Sequence, residues 1–179
     1  DYASTLGYKR IVLLGIRVGA LVALNVAPKV KILHSIVLWQ PVINGQATVT
    51  QMLRIKMASS LGRDENKGST KEYEKLSADG QTIEISGYEN SPGLFQPLKE
   101  AHIDQYMDDI DSPVLWMMVL ASAERKAPRG DVIAAQKWTD KGKKIVQTEV
   151  VGPPFWQAHE RTLCPELIEH TMTSLGEWL

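Results

Sequence analysis

The stretch Arg10 to Pro28 reads RIVLLGIRVGALVALNVAP. Arg10 to Leu14 is a short unbroken apolar run behind one arginine, the pattern of a strand covered on both faces. From Gly15 to Ala27 the residues are mostly small or aliphatic, and Pro28 stops them; this reads as a tight turn followed by a helix. Three later runs repeat the strand pattern without alternation: SIVLW at Ser35 to Trp39, PVLWMMVL at Pro113 to Leu120, and KIVQTEVV at Lys144 to Val151. Helices fall between and after them. Asp131 to Asp140 ends just before Gly142, and Pro165 to Trp178 carries Leu167, Ile168, Met172, Leu175 and Trp178 at helical spacing. The order βαβ…βαβα predicts an α/β fold, a mostly parallel sheet flanked by helices.

The pentad Gly15-Ile16-Arg17-Val18-Gly19 occupies the first strand-to-helix turn. Its glycines lie where the nucleophile elbow of an α/β-hydrolase, G-x-S-x-G, carries its own. Arg17 stands in the attacking group's place, and a guanidinium is always protonated and cannot attack. A dinucleotide fingerprint, G-x-G-x-x-G, fails at the same residue. Hydrolases of this fold order their triad nucleophile, acid, histidine along the chain. The acid's place after PVLWMMVL is taken by Glu124, and the histidine's place after the last strand by His159. Asp131 is a second acid candidate, or a helix N-cap. Arg17 and Val18 at a helix N-terminus also fit an anion site, since free N–H groups and the positive end of the helix dipole would support the guanidinium. Trp39, Gln40, Phe155, Trp156 and Gln157 follow strand ends and are candidate pocket walls. His34, His102 and His170 have no partner pattern, and Cys164 reads as a small buried residue.

Three segments of one domain are expected: 1–44 for the elbow strand, its helix and the next strand, 45–111 for a lid-like insertion, and 112–179 for the remaining core. Within the insertion, Gln46 to Leu61 sets Val49, Met52, Leu53, Met57 and Leu61 on one helical face, with Arg54 and Lys56 off it. Ser69 and Glu72 form a capping-box pattern, Thr82 to Tyr88 alternates as an exposed strand or hairpin arm, and Ser91-Pro92 opens another helix.

Composition narrows the function classes. With Lys+Arg 20 against Asp+Glu 21 in 179 residues, the chain lacks the positive excess that nucleic-acid binding draws on. The longest apolar run, Val114 to Ala121, is far below the roughly 20 residues of a membrane span. One Cys and four His argue against a disulfide framework and a closely spaced zinc site, and no cofactor motif is present. A reducing, cytoplasmic setting is the expectation.

Five blocks carry a family resemblance: LLGIRVGALVAL (Leu13 to Leu24), VLWQPVINGQ (Val37 to Gln46), QMLRIKMA (Gln51 to Ala58), SGYENSP (Ser86 to Pro92) and GPPFWQ (Gly152 to Gln157). Together they resemble the bacterial α/β-hydrolase-like proteins of the exosortase A system, the type called hydrolase 2. The resemblance implies a link to exopolysaccharide production and protein sorting. The residues allow hydrolysis of an ester, thioester or amide by a nucleophile away from the elbow, or by a water that His159 activates and Glu124 orients. The alternative is a binding or scaffold protein that kept the fold, lost the triad and holds a small molecule or acidic sugar at Arg17. The match is to the C-terminal part of that fold, with the strands before the elbow missing. The strand Arg10 to Leu14 is therefore expected to expose an edge that pairs with a second copy or with an N-terminal half.

Overall fold

The computed structural model describes residues 2–60, 68–156 and 162–178. Its elements, in order, are α1 (Tyr2–Thr5), β1 (Ile11–Ile16), α2 (Val18–Val26), β2 (Leu33–Trp39), α3 (Gly45–Ser60), α4 (Thr70–Ala78), β3 (Ile83–Ile85), β4 (Tyr88–Asn90), α5 (Pro92–Glu100), β5 (Val114–Leu120), α6 (Arg129–Asp140), β6 (Ile145–Val151) and α7 (Pro165–Trp178). Short 3₁₀ turns lie at Ala27–Lys29 and Ile103–Asp109. The chain divides into two units, Asp1–Ile43 with Ile103–Leu179, and Asn44–His102.

In the first unit four strands form one sheet in the order β1-β2-β5-β6, every pair parallel. The expectation of strands covered on both faces holds in the middle of the sheet, where every residue of β5 and Ser35 to Leu38 of β2 are buried. β1 and β6, at its two ends, have only Gly15 and Val150 buried, because each is flanked by one strand in the described sheet. The two faces of β5 pack differently. Leu115, Met117 and Val119 share a cluster with Cys164 and Leu167, which α7 and the residue before it supply. Trp116, on the opposite face, meets Trp138 of α6 edge-on, centroids 6.1 Å apart at 82°. Cys164 is free and buried, as its sequence context indicates.

β1 continues two residues beyond Leu14, through Gly15 and Ile16, and pairs with β2 as far as Ile16↔Trp39. The apolar run alone hid this because it breaks at a glycine, and that glycine is required by packing. A Cβ at Gly15 would lie 2.5 Å from the Cα of Ala20 in α2 and 2.7 Å from the carbonyl oxygen of Gly19. Gly19 has open space around the same position. Only the first glycine of the pentad is therefore demanded by close approach.

The second unit joins α3, α4 and α5 to a hairpin of β3 and β4. Ser69 caps α4 through its side chain, and the Glu72 carboxylate returns to the Ser69 N–H at 2.5 Å, the capping box read from the sequence. These bonds hold the Glu72 carboxyl below its usual range. Ile85 pairs with Tyr88, so the hairpin turns on Ser86 and Gly87 alone, both at positive φ (52° and 84°), as a two-residue turn of this kind requires. Val49 and Leu53 of α3 are fully buried, in keeping with the predicted apolar face.

Gly15→Ala should destabilise the first unit by about 3 kcal/mol, because the added methyl meets backbone that cannot move aside. Gly19→Ala should stabilise it by about 0.5 kcal/mol through helix propensity. Urea denaturation of the two variants beside the parent checks the pair; equal effects would remove the close-approach account.

Candidate functional site

Parallel strands bring their C-terminal ends to one side of the sheet, and Arg17, Gln40, Ala121 and Gly152 are the residues that leave β1, β2, β5 and β6 there. At the first of these exits the chain must reverse from strand to helix within one residue. Arg17 takes up that reversal with φ 52° and ψ −118°, a conformation that few non-glycine residues adopt. Three hydrogen bonds fix it. Its N–H donates to the Trp39 carbonyl at 3.0 Å, and its own carbonyl accepts from Ala20 at 3.1 Å and from Val42 at 3.2 Å. Val18 opens α2, so its N–H has no acceptor within its own helix.

The Arg17 side chain turns toward the strand ends. Nη1 donates to the Gln40 carbonyl at 3.0 Å, and the guanidinium lies 5.2 Å over the Trp156 ring. Gln40 is itself strained, at φ 43°, and buried. Its Oε1 accepts from the Val119 N–H at 2.8 Å and its N–H donates to the Met117 carbonyl at 2.8 Å, so it stitches the end of β2 to β5. The side chain is committed to the sheet, and what Gln40 offers Arg17 is its main-chain oxygen. Trp39, Phe155 and Trp156 form a chain of edge-to-face rings, with centroids 6.2 Å apart in the first pair and 5.2 Å in the second. Trp39 is anchored by Nε1, which donates to the Thr171 hydroxyl at 2.9 Å, and that hydroxyl in turn donates to the Leu167 carbonyl at 2.7 Å.

The charge that faces Arg17 comes from Asp131. This residue is not the N-cap of α6: Pro128 holds that position, and Asp131 lies in the first turn. Its carboxylate is buried, and Oδ1 has no hydrogen-bond partner among the described residues. Burial raises its pKa above the usual aspartate range, and the nearby Arg17 charge pulls it back in part. Burial likewise lowers the pKa of Arg17, and Asp131 opposes that shift. The two act on each other through space; no direct ion pair joins them among the described residues.

The described residues hold no group of His, Cys, Asp or Glu side chains that could bind a metal ion, and none of their helices is long and apolar enough to cross a membrane. No protein-family model and no curated protein sequence matches the chain. Solved structures do match. Est1E from Butyrivibrio proteoclasticus superposes with a TM-score of 0.61 at 17% identity, over 99% of this chain and 65% of its own. The esterase PF2001 of Pyrococcus furiosus gives 0.53 at 18%, over 96% and 53%. The proline iminopeptidase-related protein TTHA1809 from Thermus thermophilus gives 0.50 at 16%, over 99% and 66%.

The fold is that of an α/β-hydrolase. The chain spans between half and two thirds of these neighbours' length.

On this α/β-hydrolase frame the residues singled out by sequence fall into two sets. Arg17, Val18, Trp39, Gln40, Phe155 and Trp156 come together at the strand ends. Glu124 does not join them through any bond or ring contact: it sits on the exposed turn after β5, where the Ser122 hydroxyl holds its carboxyl below the usual range. A carboxylate held ionised can orient a neighbour, but it is a weaker proton acceptor than a base tuned toward neutrality. Gln157 and His159 lie outside the described residues. Asp131 is the partner that sequence spacing undervalued, since its position in the chain also suited a helix cap.

The strain at Arg17 can be measured. Glycine adopts positive φ without penalty, so Arg17→Gly should be more stable than Arg17→Ala by about 1–2 kcal/mol. That inverts the order found in helices, and urea denaturation of both variants would show it. Alanine proving the more stable would mean that the turn relaxes when the guanidinium is removed.

Proposed function

We propose that this chain is a binding protein built on an α/β-hydrolase fold, taking the carboxylate or phosphate of a small molecule at Arg17. One observation carries the reading: a permanently charged guanidinium, which cannot attack, occupies the strained strand-to-helix turn. One of its five N–H donors is engaged by Gln40, and the neighbouring Val18 N–H points from the start of α2. The ring faces of Trp39, Phe155 and Trp156 suit a sugar, so an acidic sugar is the preferred class. The sequence resemblance to the hydrolase 2 proteins of the exosortase A system favours a uronic acid of an exopolysaccharide within it.

Asp131 sets the pH dependence of such a site. Because burial raises its folded pKa, Asp131 favours folding below the ordinary aspartate pKa, and that contribution is lost as pH rises through the shifted value. The ionised carboxylate also competes with an external anion for Arg17. Anion affinity should therefore rise as pH falls through the shifted value. Asp131→Asn should bind anions more tightly than the parent at neutral pH, lose that pH dependence and stabilise the ligand-free fold. Thermal unfolding with glucuronate, galacturonate, phosphate and acetate, followed from neutral pH downward, reads all three effects, because a ligand that binds only the folded state raises its melting temperature. Arg17→Ala should abolish the stabilisation. Stabilisation that persists in Arg17→Ala would sink the proposal.

The second reading, hydrolysis, is favoured by the fold shared with esterases. Turnover of p-nitrophenyl acetate that is lost in Glu124→Gln or His159→Ala would establish it and displace the binding reading.

A further inference from the structure

We infer that the Asn44–His102 unit carries a binding site of its own, for a small apolar zwitterion such as a free branched or aromatic α-amino acid. Helices α3, α4 and α5 border a cleft of about 330 Å³ lined by Val49, Glu74, Ser77, Phe95 and Lys99 among others, all within this unit. That volume is at the small end of ligand sites, which run to roughly 1,000 Å³. Ala78 and Pro92 supply its apolar floor; Val49 and Phe95, 0% and 2% exposed, back the cleft without offering free surface.

Three polar groups border that floor. Lys99 Nζ lies 3.3 Å from Glu74 Oε2, with the two side chains 25% and 29% exposed, so the pair is largely but not fully removed from water. Glu74 Oε1 accepts from Gln46 Nε2 at 3.4 Å. Both distances are at the long end for such bonds, and a ligand's charged groups can enter between the partners. Ser77 is 7% exposed. It borders the cleft, where its hydroxyl can donate to a ligand's anionic group.

Charge decides the ligand class. An anion that drew Lys99 away would leave Glu74 desolvated and unpaired, and a cation that drew Glu74 away would do the same to Lys99. A zwitterion satisfies both at once: its ammonium donates to Glu74, its carboxylate accepts from Lys99 and the Ser77 hydroxyl, and its apolar side chain covers Ala78 and Pro92.

An NMR chemical-shift titration of the full chain with L-leucine and L-phenylalanine tests this, with 4-methylpentanoate, 3-methylbutylamine and 3-methylbutan-1-ol as the carboxylate-only, ammonium-only and neutral controls. Saturable shifts confined to residues 44–102 are expected for the amino acids, with binding at least about tenfold tighter than for any control. Glu74→Gln and Lys99→Met, both on partly exposed side chains, should each weaken binding about tenfold, and Ser77→Ala about threefold. The inference is overturned by absence of shifts up to about 10 mM amino acid. It is equally overturned by shifts centred on Arg17, by equal binding of the alcohol, or by binding that survives both charge variants.

Discussion

The backbones of β1 and α2 touch at Gly15, and no side chain fits between them. That contact leaves a single residue in which the chain can turn from strand to helix, and the turn forces Arg17 to positive φ. A residue held this way cannot follow the usual course of a strand or a helix, so its side chain is presented at the strand ends. There it meets the Gln40 carbonyl and the Trp156 ring. Gln40, bound on both sides to β5, keeps that carbonyl in place, which makes the acceptor for Arg17 as rigid as the sheet.

The chemistry of the site is that of a guarded positive charge. Burial and Asp131 act on Arg17 in opposite directions, and neither removes its proton. A hydrolase of this fold places an attacking group at this turn and supports it with a base; here the turn holds a donor, and an acid stands opposite it. The same scaffold geometry that would bring a nucleophile to a substrate brings a fixed hydrogen-bonding cation to one.

Much of this was legible in the chain itself. RIVLL, SIVLW, PVLWMMVL and KIVQTEVV mark the four sheet strands, but lack of alternation reports burial on both faces only for the central β2 and β5; the pattern does not separate them from the largely part-exposed β1 and β6. The Ser69 and Glu72 pair marks a helix start because the bonds it makes are local. What sequence spacing missed depends on contacts distant in the chain. The extension of β1 to Ile16 rests on pairing with Trp39. The burial of Asp131 rests on packing around α6, and local pattern favoured a cap. The Ser86-Gly87 reversal lay within reach, since Ser-Gly between two short strands is a turn signal. For Gln40 the residue was identified but its use was not, because a glutamine that clamps two strands looks the same in sequence as one that faces a ligand.

Among the described residues β1 has β2 as its one neighbour in the sheet. The N–H groups of Ile11 and Arg17 donate toward β2, to Ile32 at 2.8 Å and Trp39 at 3.0 Å, and the alternation of a strand turns those of Val12, Leu14 and Ile16 the other way. The side chains of Leu14 and Ile16 are 50% and 38% exposed as well. Transferred to deuterated water, the strand should take up deuterium in a two-residue rhythm, fast at Val12, Leu14 and Ile16 and slow at Leu13 and Gly15. The edge of the sheet would then appear as alternating mass along one strand.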